Sequence, residues 1–330
     1  MNLRLVLFEW AARRGLESGA SHRLQRLAGF GGEPEGLRTG LARGFAVLAA
    51  ALAGFALVMW VAANWATFGR VGRFALLQGA VAVLGLGAWA WPAARAPLGL
   101  AALFAIGALL ALFGQTYQTG ADPWQLFALW ALLALPLSFG VRSDVVWTPW
   151  VVVAMAGVSL WASAHTGQRI WRGLDGAGTT VHLAAWAMSL LLVLLTGPAW
   201  RVRTGAGPWA LRTAITLAAF GITLSALIGL FGDDIDLLYP LGLLLAGVAV
   251  WGLSQRTAFD VYALSAVVLA FDALLVCGHG RLLFDGADAE PVSASLLLSV
   301  VAAGLLAVSV RWVMRVVQRF GAVRCAGCPP

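Results

Sequence analysis

The feature of this chain that most restricts its fold is a succession of apolar runs, each close to twenty residues long and nearly free of charge. Residues 96–113 and 124–141 are the clearest pair. A bilayer's hydrocarbon core takes about 20 helical residues to cross. Inside it every backbone N–H and C=O must be paired within the segment or within a closed barrel, and runs of this length leave only helices. Ten can be marked, at about 44–64, 73–91, 96–114, 124–141, 145–163, 180–198, 213–231, 236–253, 258–278 and 292–313. Composition agrees: 61% of the 330 residues are hydrophobic and 11% are charged. A soluble domain with that balance would have a largely apolar surface. The chain is therefore expected to be all-α, a polytopic transmembrane helix bundle of about ten spans.

Residues 1–43 precede the first span and read as a short cytosolic, amphipathic helical hairpin. Leu3, Val6, Leu7, Trp10 and Ala11 recur at helical spacing, Gly15 can end that helix, and Ser21 can cap a second one carrying Leu24 and Leu27. Gly31, Gly32 and Pro34 then break the chain. The hairpin reads either as a flap on the lipid surface or as a docking element for a partner. Its charges, among them Glu9, Arg13, Arg14 and Glu17, interrupt any apolar core, so no cleavable signal peptide is expected. Two five-span halves follow, at 44–163 and 164–317, and then a cytosolic tail at 318–330.

Orientation comes from the basic residues. All 22 are arginine. Seven precede the first span, and the last stretch holds Arg311, Arg315, Arg319 and Arg324, which places both ends on the cytoplasmic side of a bacterial inner membrane and requires an even number of spans. Tryptophans at span ends (Trp65, Trp91, Trp124, Trp161, Trp200, Trp209, Trp251) fit an interfacial belt. With arginines flanking apolar spans, the net charge of +7 points to topology and anionic lipid, and not to nucleic acid. Membrane lipid and other membrane proteins are the expected partners, with oligomeric state left open.

One polar segment stands apart. Gly114–Gln125, GQTYQTGADPWQ, sits between two apolar spans on the expected outer face. Gln115, Thr116, Tyr117, Gln118 and Thr119 put five hydrogen-bonding side chains where a connector needs only a turn. Asp122 can cap the next helix, Pro123 suits its first position, and Gln125 falls at the capping-box position. Asn64 ends the first span on the same face. These residues are expected to form a folded, partly embedded turn that binds a ligand or holds the bundle together.

The runs Ala62-Ala63-Asn64-Trp65, Arg73-Phe74-Ala75-Leu76-Leu77-Gln78, Gly114–Pro136 and Arg142-Ser143-Asp144 together resemble the bacterial multi-pass membrane-protein family filed as domain of unknown function 2157. The resemblance covers roughly residues 3–163, and GQTYQTGADPW is its most specific part. It implies membrane location and class, and brings no catalytic residue with it.

Asp272 is a further candidate, a carboxylate inside the ninth span about six residues from its expected outer end, where an acid is costly and marks a functional hypothesis. Asp233, Asp234 and Asp236, with His165, His182 and His279, fall on the same face. They lack the spacing of a metal site, and no metal or other cofactor is expected. Cys325 and Cys328 form a lone CxxC in the tail without the second pair a zinc site needs. Ala108–Gln115 resembles Ala226–Asp233, a weak sign of internal repetition. No nucleotide-binding or hydrolase motif is present, so no catalytic residue is nominated. Three functions remain: a permease-like or ligand-binding protein with an outer polar site, an assembly partner in a cell-envelope complex, and a membrane enzyme acting through Asp272.

Overall fold

The computed structural model describes residues 9–11, 13–27, 37–64, 67–117, 120–166, 176–232, 235–255, 259–285 and 291–325, and every regular element among them is helical. In chain order these are α1 (Ser18–Leu27), α2 (Leu37–Ala63), α3 (Arg70–Ala90), α4 (Arg95–Tyr117), α5 (Pro123–Val141), α6 (Asp144–Thr166), α7 (Gly176–Thr196), α8 (Arg201–Thr204), α9 (Pro208–Leu230), α10 (Leu238–Leu253), α11 (Val261–Phe284) and α12 (Pro291–Cys325). The chain divides into two compact units, Met1–Ala49 and Ala50–Pro330. In the first, Gly15 adopts the left-handed φ of +59° that glycine tolerates, before α1 begins at Ser18. An Arg13–Glu9 ion pair at 3.0 Å and the Arg14 guanidinium 5.0 Å over the Trp10 ring precede it.

Among the described residues, nine helices are long and apolar enough to cross a membrane; α10, with 16 residues, is apolar but shorter. At 1.5 Å per residue it measures about 24 Å. Its contacts nevertheless carry it through the bundle. Leu238 sits against Gly229 near the end of α9, and the Tyr239 hydroxyl donates to the Leu274 carbonyl of α11 at 3.1 Å. Fifteen residues on, Leu253 packs with Leu211 and Ala263 at the start of α9 and α11. So α10 runs antiparallel to both neighbours over the depth α9 covers between Gly229 and Leu211, and counts as the tenth crossing.

Side-chain contacts then trace the two ends of the second unit. At one, Arg70 stands 5.0 Å over the Tyr117 ring, Trp124 lies 5.9 Å from His165, Thr179 donates to Asp236 at 2.9 Å, and Arg281 donates to the Gly232 carbonyl at 3.0 Å. At the other, Gly99 is pressed against Val141 and Val146, Asp144 reaches the start of α9, Arg212 pairs with Asp260 at 2.9 Å, and Trp312 packs beside Leu264. These are called below the Tyr117 end and the Asp144 end.

Small residues permit the close helix approaches that lipid-solvated packing relies on. A Cβ on Gly107 would lie 2.4 Å from the Trp130 ring, whose N–H donates to the Leu103 carbonyl at 2.9 Å. One on Gly242 would lie 2.7 Å from Ala226.

Four helices run past their expected ends. Helix α4 continues through Gln115 and Thr116 to Tyr117, α6 continues from 163 to Thr166, α11 continues from 278 to Phe284, and α12 extends to Cys325, into the stretch read as a tail. Each extension carries polar or basic residues, which end an apolar run without ending a helix. The likeness between Ala108–Gln115 and Ala226–Asp233 also stops short structurally: α9 ends at Leu230, where α4 continues.

Candidate functional site

The segment singled out in the sequence lies at the Tyr117 end. Gln115, Thr116 and Tyr117 form the last turn of α4, and the Thr116 hydroxyl donates back to the Leu112 carbonyl at 2.7 Å. Tyr117 is exposed, stacks 4.7 Å from Phe113 and 6.0 Å from Phe74, and lies under Arg70. Gln118 and Thr119 lie outside the described residues. Gly120 takes a φ of +62°, reversing the chain, and Asp122 occupies the N-cap position of α5 with extended backbone. Its side chain makes no capping bond; the Gln125 N–H donates instead to the Asp122 backbone carbonyl at 3.0 Å. Gln115, Asp122 and Gln125 are exposed, beside an open cleft of about 500 Å³ lined by Phe113, Gly114 and Leu126. The Asn64 side chain donates to the Trp60 carbonyl of its own helix at 3.0 Å.

Asp272 falls at the middle of α11, eleven residues from its start and twelve from its end, because the helix outruns the expected span. It is buried, with 6% of its surface exposed. One carboxylate oxygen accepts from Ser309 of α12 at 2.9 Å; the other is buried with no hydrogen-bond partner among the described residues.

The outer acids separate. Asp233 and Asp234 lie outside the described residues. Asp236 accepts from Thr179 at 2.9 Å and from the Leu237 N–H at 2.6 Å, tying the α9–α10 connection to α7. Among the described residues no three His, Cys, Asp or Glu side chains converge. Cys328 also lies outside them, and Cys325 is the last residue of α12.

One polar space was not singled out from the sequence. It is a cleft of about 200 Å³ between α6, α7 and α9, in the half of the bundle nearer the Tyr117 end. Ser159, Ser163 and Thr166 approach it from α6, His182 and Ser189 from α7, and Ser225 from α9. The Trp186 indole donates to the Ser225 hydroxyl at 2.7 Å, and that hydroxyl donates in turn to the Gly221 carbonyl at 2.9 Å. Among the described residues no arginine lines this space. Two neighbouring clefts differ sharply in lining: one of about 330 Å³ between α7, α9, α10 and α11, and one of about 560 Å³ between α5, α6 and α7, are almost wholly hydrocarbon and aromatic.

A second feature that sequence reading missed lies at the Asp144 end. The Asp144 carboxylate accepts three backbone N–H groups, from Gly207 at 3.0 Å, Trp209 at 2.9 Å and Ala210 at 2.9 Å, and so caps α9 from another helix. Trp147, buried beside it, donates to the Thr204 carbonyl at 2.8 Å, and the Arg142 guanidinium donates to the Val202 carbonyl. Arg142 itself holds a φ of +53° against Gly205. This is a structural clasp. Nearby, burial would raise the Asp260 carboxyl, but hydrogen bonds from Arg212 and the Ala263 N–H, with the arginine's charge, hold it below its ordinary 3.8.

Residues 8–147 match the family described as predicted membrane protein (DUF2157), in agreement with the resemblance carried by GQTYQTGADPW and Arg142-Ser143-Asp144. The match ends at Trp147, and Arg142, Asp144 and Trp147 near that end grip the chain beyond it. No curated protein and no solved structure matches the chain.

Proposed function

We propose that this helical membrane protein binds a small uncharged polar molecule, or the uncharged head of a lipid, in the cleft between α6, α7 and α9. The observation that carries the reading is the convergence of hydroxyls and one imidazole from three spanning helices on a single enclosed space. Polar groups at membrane depth are costly unless they face protein, water or a ligand. A space of about 200 Å³ holds on the order of seven waters. The described lining offers hydroxyls and one imidazole, donors and acceptors that suit an uncharged, hydroxylated or carbonyl-bearing occupant.

In this reading the protein sits in a bacterial inner membrane with both chain ends cytoplasmic, supported by the arginine-rich termini and by the even number of crossings that results when the shorter α10 is added to the nine longer apolar helices. The Tyr117 end then faces outward. Asn64, Gln115, Thr116, Tyr117, Asp122 and Gln125 form its polar rim, on the same side as the cleft. Membrane lipid is the expected surrounding partner. The alternative of assembly with another membrane protein draws on α2, whose Phe45, Leu48, Leu52, Phe55 and Met59 are exposed along its length.

The test is to purify the full chain in lipid nanodiscs and identify retained small molecules by mass spectrometry, beside Ser189→Leu, which fills the cleft, and His182→Ala. The reading expects a species enriched in the wild type and depleted in both variants. Equal retention in all three proteins would contradict it.

A further inference from the structure

The family-like run ends in Asp122-Pro123-Trp124, and neither the polar cleft nor the turn uses its tryptophan. Trp124 closes the upper end of the apolar groove of about 560 Å³ between α5, α6 and α7. Its indole N–H is buried and has no hydrogen-bond partner among the described residues. Trp161 and His165 stand beside it, their rings 5.0 Å apart.

The groove's length is informative. On α5 its wall runs from Trp124 to Leu135, and on α6 from Trp150 to Trp161. Each stretch advances eleven residues, about 16 Å along a helix. Half of a hydrocarbon core of about 30 Å is 15 Å. The groove therefore spans one leaflet, from the tryptophans at the Tyr117 end to the midplane. Among the described residues its wall is hydrocarbon and aromatic, and it opens beside Leu132, an exposed position on α5.

We propose that this groove seats one acyl chain of a glycerophospholipid from the leaflet at the Tyr117 end, with the chain's ester carbonyl accepting the Trp124 indole N–H. The length match selects a single chain lying along the helices. The unpaired donor at the interfacial end selects an ester carbonyl, the acceptor a phospholipid carries at that depth. Tryptophan is suited to the position, having an apolar body and one donor. The site is distinct from the polar cleft, which lies between α6, α7 and α9, so either can fail alone.

The test counts phospholipid retained per protein during stepwise delipidation of the full chain, by native mass spectrometry. Leu132 lines the groove and is 64% exposed, so Leu132→Trp fills it from the lipid side without touching the packed core. The expected result is one tightly held, ester-linked lipid in the wild type and its loss in Leu132→Trp. Trp124→Phe, which keeps the ring and removes the donor, should weaken retention about five-fold, the worth of one ordinary hydrogen bond. Val83→Trp, at an exposed apolar position on α3, should change nothing. Undiminished retention in Leu132→Trp, or a retained species without an ester, would overturn the proposal. Unchanged retention in Trp124→Phe would overturn the role of the indole.

Discussion

Asp144 is the residue whose loss the structure expects to matter most for stability. A carboxylate accepting three N–H groups at the start of a helix does what a local cap does, with greater charge and from a different helix. Asp144→Ala leaves those donors unpaired and should cost roughly 2–4 kcal/mol. A fall in unfolding midpoint no larger than that of an exposed-loop substitution would contradict this. Asp272 and Ser309 offer a sharper comparison. Ser309→Ala removes the one donor the carboxyl has in the structure and should destabilise by about 1–2 kcal/mol, whereas the double change Asp272→Leu with Ser309→Ala should be close to neutral. A double-mutant cycle in detergent reads both. Asp260 carries a pH dependence. Because its folded value lies below the ordinary 3.8, its contribution is fully present above that value and disappears as pH falls through the lower, folded one. The difference in midpoint between wild type and Arg212→Gln should therefore hold constant through neutral pH and close under acid.

At the scale of elements, glycine positions set how closely helices approach. Gly107→Ala places a methyl 2.4 Å from a Trp130 ring that is pinned by its own hydrogen bond, so the ring cannot give way cheaply. The expected cost is about 1–3 kcal/mol, measured as a lowered unfolding midpoint. The spans themselves were legible in the sequence because hydrocarbon thickness dictates their length and charge is excluded from them. Their ends were less so. Gln115, Thr116 and Tyr117 read as a loop because they are polar, yet helix formation needs only backbone pairing and tolerates glutamine well. His279 and Arg281 extend α11 for the same reason, which moved Asp272 from near an end to the centre. The polar cleft was half visible: Ser159, Ser163 and Thr166 stand at i, i+4 and i+7, and His182 and Ser189 at i and i+7, each set on one helical face. Which faces meet depends on packing between helices far apart in sequence, and a helical serine or threonine can satisfy its hydroxyl on a carbonyl of its own helix. Ser163, Thr166 and Ser225 do bond that way, and still line the cleft.

For the second unit as a whole, the cleft lies in the half nearer the Tyr117 end, and the Asp144 clasp lies at the other end. The central claim is that a polar, ligand-sized space opens between α6, α7 and α9 toward the outer face. Ser163 lies at that space and is exposed. The most direct measurement is the reactivity of Ser163→Cys, in a background lacking Cys277, Cys325 and Cys328, toward a membrane-impermeant maleimide in intact cells and in inverted vesicles. The account expects labelling in intact cells, slowed when the retained molecule is added back, and little in inverted vesicles. Labelling confined to inverted vesicles, or an intact-cell rate indifferent to the added molecule, would contradict it.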